Sequence, residues 1–135
     1  MTLKHNEELG KKIEKCIASN YANSIFPKAP NLSYDFSTPK LIVEVKSCHI
    51  HTKDRKNLTR IGRYYIHKNS HEALKRIAEE QHKTPVYVFV ILNKDDEIAD
   101  SKELPYDPIN VLLNCVPLLK RGDYVFSLQH IFWKW

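Results

Sequence analysis

Two acidic side chains and one lysine are the residues of this sequence best suited to chemistry. Glu44 and Lys46 stand two residues apart in a stretch with strand-like composition, so their side chains point to the same face. Asp35 precedes them, on the other side of a short polar segment. If Phe36 pairs with Leu41 in a hairpin, Asp35 is a diagonal neighbour of Glu44, about 7 Å away at the backbone. The spacing therefore predicts that Asp35, Glu44 and Lys46 converge.

This grouping suits the metal-assisted cleavage of a phosphodiester. Carboxylates without histidines favour a hard, oxygen-loving ion such as Mg²⁺ or Mn²⁺, which keeps several waters and can activate one of them. The Lys46 ammonium beside such an ion can hold or deprotonate the attacking water and offset charge on the phosphorus oxygens. A first helix supplies a third acid, because Glu14 lies at the edge of its apolar stripe and can reach the sheet.

Apolar periodicity and turn residues predict the elements that position these side chains. In chain order they are helix Glu7–Asn23, strands Asn31–Phe36 and Leu41–Ile50, a helix from Asn69 to Gln81, strand Val86–Leu92, a short helix Asp107–Asn114 and a final strand Tyr124–Trp133. Asn69 and Glu72 form a capping box that opens the second helix. Residues 52–67 are expected to form an exposed loop or ribbon. This order predicts an α/β fold with a mixed sheet and helices packed on it.

The acids and the lysine also form a known pattern. Glu14 within Leu9-Gly10-Lys11-Lys12-Ile13-Glu14, then Asp35, then Val43-Glu44-Val45-Lys46 resembles the PD-(D/E)xK nuclease superfamily, particularly its small archaeal Holliday-junction-resolvase-like and restriction-endonuclease-like members. The resemblance covers roughly residues 9–92. It departs from the pattern at Tyr34, where the motif name has proline, and in a basic stretch that is longer than in compact resolvases.

The resemblance implies a fold and an activity. The fold is a restriction-endonuclease-like αβββαβ core with a mixed central sheet flanked by helices. The activity is hydrolysis of DNA, with a Mg²⁺ ion held by Asp35 and Glu44, with help from Glu14, and with Lys46 beside the attacking water. The catalytic residues implied for this chain are therefore Glu14, Asp35, Glu44 and Lys46.

Basic residues are concentrated after the predicted second strand. Residues 46–76 contain nine Lys and Arg but two Asp and Glu, whereas the whole chain has a net charge of +5. This mixture of cations with interleaved histidines and tyrosines suits a polyanion, because phosphate neutralisation supplies most sequence-independent nucleic-acid affinity. The alternative is a solvated face that only keeps the protein soluble. We expect DNA phosphates to be contacted here, by Lys53, Arg55, Lys56, Arg60, Arg63 and Lys68.

Other functions compete with the nuclease hypothesis. The chain could be a nucleic-acid-binding module that keeps the fold without catalysis, or a protein-interaction domain that binds no nucleic acid. The structural alternative to the site is a solvated strand face on which Glu44 and Lys46 form an ion pair, with Asp35 as a turn residue. Zinc binding by Cys48, His49 and His51 is disfavoured, because on a strand the cysteine faces away from both histidines. The binding module predicts salt-sensitive DNA binding that does not depend on Asp35 or Glu44, and the protein-interaction domain predicts no DNA binding at low salt.

Several expectations concern the chain as a whole. Its 135 residues fit a single nuclease domain over 1–135. Three widely separated cysteines, each among apolar neighbours, predict buried free thiols and a reducing, cytoplasmic location. The sequence shows no apolar run of membrane-spanning length, so no membrane partner is expected. Because cutting both strands of a duplex needs two sites related by a two-fold axis, we expect a homodimer, with residues 124–135 as a candidate interface.

Overall fold

The computed structural model describes residues 3–28, 34–53 and 59–133. Its helices are α1 (Leu3–Ala18), α2 (Lys68–Glu80) and α3 (Tyr106–Leu113), followed by a short 3-10 helix at Leu128–His130. Its strands are β1 (Phe36–Ser37), β2 (Leu41–His49), β3 (His51–Lys53), β4 (Thr59–Ile61), β5 (Arg63–His67), β6 (Thr84–Leu92), β7 (Ile98–Pro105) and β8 (Asp123–Ser127). All three cysteines are free thiols, but the expected burial is wrong for Cys16 and Cys115, which are exposed. None of the described helices is long and apolar enough to cross a membrane.

A four-stranded mixed sheet forms the centre of the described structure, in the order β1-β2-β6-β7. Strands β2 and β6 run parallel, while β1 and β7 pair antiparallel at the two edges. The run from Val86 to Leu92 in β6 is buried throughout, because helices cover both faces of the sheet. In this register Glu44 lies beside Tyr87. The strand that carries the predicted chemistry is therefore central.

The two faces of the sheet are packed differently. The layer against α1 is mainly aliphatic, with one buried ring at Phe36, and contains Ile13, Ile17, Val43, Val86, Val88 and Val90. The layer against α2 and α3 is rich in aromatic rings and contains Tyr64, Tyr87, Phe89, Tyr106 and Phe126. Ile42 belongs to this second layer. Because side chains alternate along β2, Glu44 and Lys46 continue the face that begins with Ile42.

The hairpin between β1 and β2 has a different register from the predicted one. Phe36 pairs with Val43, two residues later than expected. The turn therefore contains more residues than expected. The Thr38 hydroxyl closes it by accepting hydrogen bonds from the backbone N–H groups of Leu41 at 3.0 Å and Lys40 at 3.3 Å. A shift of two residues keeps each side chain on its predicted face. The pairing therefore brings Asp35 closer to a position directly opposite Glu44.

Both long helices differ from the prediction at their ends. Helix α1 spans Leu3–Ala18 rather than Glu7–Asn23, and a turn follows it. Helix α2 begins one residue before the predicted capping box. His67 caps this helix, and its Nδ1 accepts a hydrogen bond from the Asn69 backbone N–H at 3.2 Å. The predicted cap at Asn69 is therefore wrong, because the residue receives a cap instead of providing one.

Three strands also depart from the prediction. The sequence does not predict strand β7, because most of its side chains are polar or exposed. The predicted final strand stops at Ser127, whose hydroxyl accepts a hydrogen bond from the Gln129 N–H and starts the 3-10 helix. Of the predicted strand at 31–36, residues 31–33 lie outside the described residues, and β1 begins only at Phe36.

Two small sheets extend the central strand. Strands β3 and β4 form an antiparallel ribbon directly after β2, as the sequence predicts for part of residues 52–67, and β5 pairs with β8. Gly62 joins the ribbon to β5. Its N–H donates to the Ile50 carbonyl at 2.8 Å, and its carbonyl accepts from the Leu128 N–H at 3.0 Å. The first bond attaches the ribbon to the residue that follows β2, and the second attaches it to the 3-10 helix.

Candidate active site

Asp35 is held against β2 by two hydrogen bonds. Its backbone N–H donates to the Val43 carbonyl at 2.9 Å, and its Oδ2 accepts from the Val45 N–H at 2.7 Å. Glu44 lies between these two valines, and both acidic side chains are half-buried. The hairpin therefore brings the Asp35 carboxyl group to the strand that carries Glu44 and Lys46.

Glu14 and Glu44 both reach the Asp35 carboxyl group, the first from α1 and the second from β2. In its protonated form each glutamate donates a hydrogen bond to Asp35. Burial first, and then the charge of Asp35 and the hydrogen bond to it, raise the pKa of Glu14 to about 8. Burial, the hydrogen bond and the charge of Asp35 also raise the pKa of Glu44 well above its ordinary value. Glu14 and Glu44 therefore keep their protons to a higher pH than an ordinary glutamate does, beside the Asp35 carboxyl group.

Lys46 supplies a positive charge to the same place. Its charge opposes the rise in the pKa of both Glu14 and Glu44, and that of Lys11 on α1 does the same for Glu14. Together the structure brings four predicted residues to one point, which we call the carboxylate cluster: Glu14, Asp35, Glu44 and Lys46.

The donor chemistry of the carboxylate cluster fits a divalent cation. Its carboxyl oxygens are the ligands that Mg²⁺ and Mn²⁺ prefer, and the pKa values of Glu14 and Glu44 are raised first by burial and also by the negative charge of Asp35, which a cation would offset. Within the described ranges, no group of three or more His, Cys, Asp or Glu side chains is spaced ready to hold a metal. The acids hydrogen-bond to one another instead, so they would have to turn away from these bonds to bind a cation.

The predicted DNA-binding residues lie beyond the end of β2. Four of them are on described elements: Lys53 in β3, Arg60 in β4, Arg63 in β5 and Lys68 in α2. Two lie outside the described residues: Arg55 and Lys56. Arg60 Nε donates to Thr52 Oγ1 across the ribbon at 3.3 Å, while Arg63 and Lys68 are exposed. We call the four residues on described elements the basic surface, and these elements follow β2, the strand that carries Glu44 and Lys46.

Sequence reasoning missed a charged group near this surface. Asp96, in the turn after β6, is bonded to Nε2 of His49 at 2.6 Å and to Nε2 of His5 at 3.2 Å. Hydrogen bonds from His49 and His5 lower the pKa of Asp96. The group ties α1 to the end of β2. No sequence signal links these residues, because 91 positions separate His5 from Asp96. Burial raises the pKa of the neighbouring Cys48 to about 11, which keeps its thiol protonated.

The comparison with protein families agrees with this geometry. A family model described as a PD-(D/E)XK nuclease superfamily domain matches residues 1–116. A search of the curated proteins finds no match. The matched region includes the carboxylate cluster, the sheet β1-β2-β6-β7 and all three helices, and this mixed sheet with flanking helices is restriction-endonuclease-like. Domains of this kind are generally nucleases that use divalent metals and act on nucleic acid. The chain belongs to the PD-(D/E)XK nuclease superfamily.

Proposed function

We propose that the chain is an endonuclease that hydrolyses phosphodiester bonds of DNA and depends on Mg²⁺, for which Mn²⁺ can substitute. The observation that carries this proposal is the convergence of the carboxylate cluster in a chain of the PD-(D/E)XK superfamily. Residues 1–135 would act as one nuclease domain. The burial and crowding of three acids cost stability, and catalysis is a function that explains this cost.

Each residue of the carboxylate cluster has a proposed role. Asp35 and Glu44 are metal ligands, and Glu14 assists them from α1. A bound Mg²⁺ or Mn²⁺ ion supplies an activated water and positive charge beside the scissile phosphate. The Lys46 ammonium orients that water and offsets charge on the phosphorus oxygens. The Val45 N–H keeps the Asp35 carboxylate against β2 throughout, which fixes the position of the ligands.

DNA is the proposed substrate because the elements of the basic surface follow β2, the strand that carries Glu44 and Lys46. Cations along the ribbon, β5 and α2 would contact phosphates on either side of the scissile bond, so they would position the substrate while the acids cleave it. The proposed substrates are branched DNA, as for a Holliday-junction-resolvase-like enzyme, and duplex DNA, as for a restriction-like enzyme. The test therefore includes both.

Lys46→Ala is the variant that tests the proposed function. With Mg²⁺ or Mn²⁺, we expect the wild-type protein to cleave a supercoiled plasmid, a linear duplex or a four-way junction, and we expect Lys46→Ala to reduce the rate on the order of a thousandfold. Because the basic surface is intact, the variant should still bind DNA. Lys75→Ala is the matched control, since Lys75 is an exposed lysine on α2 outside both groups.

Absence of cleavage would contradict the enzyme proposal. If the pure wild-type protein leaves all three substrates intact with either metal, the proposed endonuclease activity is wrong. Salt-sensitive DNA binding that persists in that case, and that does not depend on Asp35 or Glu44, would favour the non-catalytic binding module.

We also propose that the enzyme acts as a homodimer, because one chain carries one carboxylate cluster and a duplex has two strands to cut. Within the candidate interface, Ile131 and Phe132 are buried in the core of their own chain, whereas Trp133 is 85% exposed. Trp133 is therefore the residue we expect to contact a second copy. Light scattering should show a dimer that Trp133→Ala weakens, and a monomer at every concentration, with and without DNA, would contradict this.

A further inference from the structure

A cavity of about 400 Å³ lies on the outer face of the small sheet formed by β5 and β8. Arg63 and Ser127 line it and are paired partners on the two strands, and Val125 lies on the same face because side chains alternate. Phe126 belongs to the core, is 4% exposed and forms part of the lining. The volume falls within the range of roughly 300–1,000 Å³ that is typical of sites for small ligands.

Two further segments form the walls of the cavity. Val116 and Pro117 follow α3, and the Pro117 carbonyl accepts a hydrogen bond from the Val125 N–H at 3.2 Å. His130 comes from the 3-10 helix, and its Nδ1 donates to the Ser127 carbonyl at 3.3 Å. Both walls are attached to β8 by these bonds, so the cavity is a fixed feature of the fold.

The lining combines apolar surface with positive charge. Val116, Pro117 and Val125 are apolar, whereas Arg63 is an exposed cation and His130 an exposed imidazole. Among the described residues, no Asp or Glu lines the cavity. Apolar walls suit a flat ring, and an arginine suits a phosphate, with which its guanidinium forms paired hydrogen bonds. A nucleotide combines both groups in one ligand.

An aromatic ring lies next to the cavity on the same face of the small sheet. Tyr65 pairs with Val125 and is 37% exposed. The guanidinium of Arg121 lies over this ring, 5.3 Å from its centroid, and also forms an ion pair with Asp123. Exposed rings together with cations are typical of surfaces that bind single-stranded nucleic acid, because every base can stack on a ring. The surroundings of the cavity therefore favour a nucleotide within a strand over a free nucleotide.

We propose that this cavity binds one unpaired nucleotide of the DNA substrate, with the base between the apolar walls and its phosphate at Arg63. A base in a duplex would first have to leave its stack, which is unfavourable, whereas an unpaired base avoids this cost. The cavity therefore favours DNA with unpaired positions over a fully paired duplex. Arg63 follows Gly62, which is bonded to the residue after β2, so this side of the cavity is connected to the strand that carries Lys46. The inference rests on the proposed function, because it takes DNA to be the substrate.

Two cysteines of the wild-type protein provide a direct test. Cys115 lines the cavity and is exposed, whereas Cys16 is exposed on α1 and is not part of the lining. Mass spectrometry measures how fast N-ethylmaleimide alkylates each thiol in the presence of a chelator, which prevents cleavage. A single DNA strand of about 16 nucleotides, at about ten times its Kd, should slow the alkylation of Cys115 about tenfold by occupying the cavity. The alkylation rate of Cys16 should not change.

The same experiment can overturn the inference. It is wrong if the single strand leaves Cys115 unprotected, if it protects Cys16 equally, or if the duplex with the complementary strand protects Cys115 equally well. Thymidine monophosphate at the same concentration is the probe for a free nucleotide and should give little protection. Protection by this nucleotide as strong as that by the single strand would assign the cavity to free nucleotides and contradict the inference.

A variant that fills the cavity gives a second test. In Val125→Trp the larger side chain would occupy the space of the base, so we expect the affinity for the single strand, measured by fluorescence anisotropy, to fall about tenfold. Its affinity for the duplex should stay within about twofold of the wild type. Val111→Trp is the matched control, because Val111 is 64% exposed on α3 and does not line the cavity. Equal single-strand affinities of the two variants would overturn the inference. Thermal denaturation reports whether each variant is folded, and if Val125→Trp is not, the protection of Cys115 in the wild type decides alone.

DNA cleavage by the wild type distinguishes this inference from the proposed function. If the wild type cleaves DNA but no single strand protects Cys115, the inference about the cavity is wrong and the nuclease proposal is unaffected. If the wild type neither binds nor cleaves DNA of any form, both are wrong.

Discussion

The carboxylate cluster and the basic surface differ in how their charges are arranged. In the cluster, Glu14 and Glu44 share hydrogen bonds with Asp35 in a partly buried site, and the pKa values of both glutamates are raised. On the basic surface, Arg63 and Lys68 are exposed and lie on separate elements. Burying like charges together costs stability, whereas exposed and separated charges cost little. The cluster should therefore respond to substitution as a unit, and the surface as a sum of independent contacts.

Asp35→Asn should give the largest effect, a loss of DNA cleavage, because Asp35 contacts both glutamates of the cluster. The asparagine oxygen can still accept the hydrogen bond from the Val45 N–H, so the hairpin is kept while the charge is lost. We expect the rate of Mg²⁺-dependent DNA cleavage to fall on the order of a thousandfold. Single-turnover cleavage of a plasmid or four-way junction measures this rate.

The control for this prediction is an aspartate in an exposed turn. Asp95→Asn changes the charge of the protein by the same amount, so its cleavage rate should equal that of the wild type. Comparable activity of Asp35→Asn and Asp95→Asn would show that the cluster does not act as a unit and would contradict the role proposed for Asp35.

The cluster could be predicted from the sequence because alternation along a strand tolerates an error in register. The expected hairpin was wrong by two residues, yet Asp35 and Glu44 remained on the same face, since a shift of two preserves the faces. Glu14 could be placed for a similar reason. The apolar stripe of α1, with Ile13 and Ile17, packs on the sheet and leaves Glu14 at its edge.

Contacts between distant parts of the chain could not be predicted. Strand β7 lacks an apolar alternation because it is an edge strand with most side chains exposed, so only its pairing with β6 defines it. The bonds that link His71 to Tyr87 and Asn110 join three elements that no local pattern connects. His67 caps α2 through a ring nitrogen, whereas the sequence rule looks for the side chains of Ser, Thr, Asp or Asn.

Gly62→Ala should give the next largest effect, a loss of folding stability. Gly62 lies where the ribbon joins the end of β2. A Cβ atom at Gly62 would lie 1.9 Å from the His49 carbonyl oxygen and 3.0 Å from Sγ of Cys48. A backbone oxygen cannot rotate away, so the junction must move. We expect the free energy of unfolding to fall by about 3 kcal/mol, as measured by urea denaturation.

A second glycine provides the comparison for Gly62. Gly10 lies in α1, where an added Cβ meets nothing within 4 Å. Gly10→Ala should therefore stabilise the protein by up to about 1 kcal/mol, because alanine is the better helix former. If Gly62→Ala were as stable as the wild type, the ribbon would be free to shift relative to β2, and the basic surface would not be fixed beside the cluster.

Glu44→Gln should change the folding stability of the metal-free protein by a smaller amount, and this change should depend on pH. In the metal-free protein the pKa of Glu44 is raised above its ordinary 4.5, so the folded state keeps this proton to a higher pH than the unfolded chain does. The stabilisation that this proton gives is complete below about pH 4.5 and is lost as the pH rises toward the folded-state pKa. Because glutamine does not ionise, Glu44→Gln should be more stable than the wild type by about 1 kcal/mol at pH 8 and similar to it at pH 4.5.

Thermal denaturation with a chelator tests this dependence. Glu79→Gln, at an exposed position of α2, should change stability little at either pH. Added Mg²⁺ should stabilise the wild type at pH 8 but stabilise Glu44→Gln less, because the variant lacks one ligand. A variant that is less stable than the wild type at pH 8 would mean that the Glu44 charge is well compensated in the metal-free protein.

Arg63→Ala should give the smallest effect, a modest loss of DNA affinity, and it tests the basic surface. Arg63 is exposed in β5 and alternates with the buried Tyr64 and Ile66, so its removal leaves the core intact. If Arg63 contacts one DNA phosphate, the variant should bind DNA of every sequence several-fold more weakly, and the slope of log affinity against log salt should fall by about one.

Fluorescence anisotropy without divalent metal measures both the affinity and the salt slope, with Lys75→Ala as control. Asp35→Asn should leave the salt slope unchanged, because it removes no phosphate contact. An unchanged affinity and slope in Arg63→Ala would place the DNA-contacting surface elsewhere, since independent contacts cannot be removed without a loss.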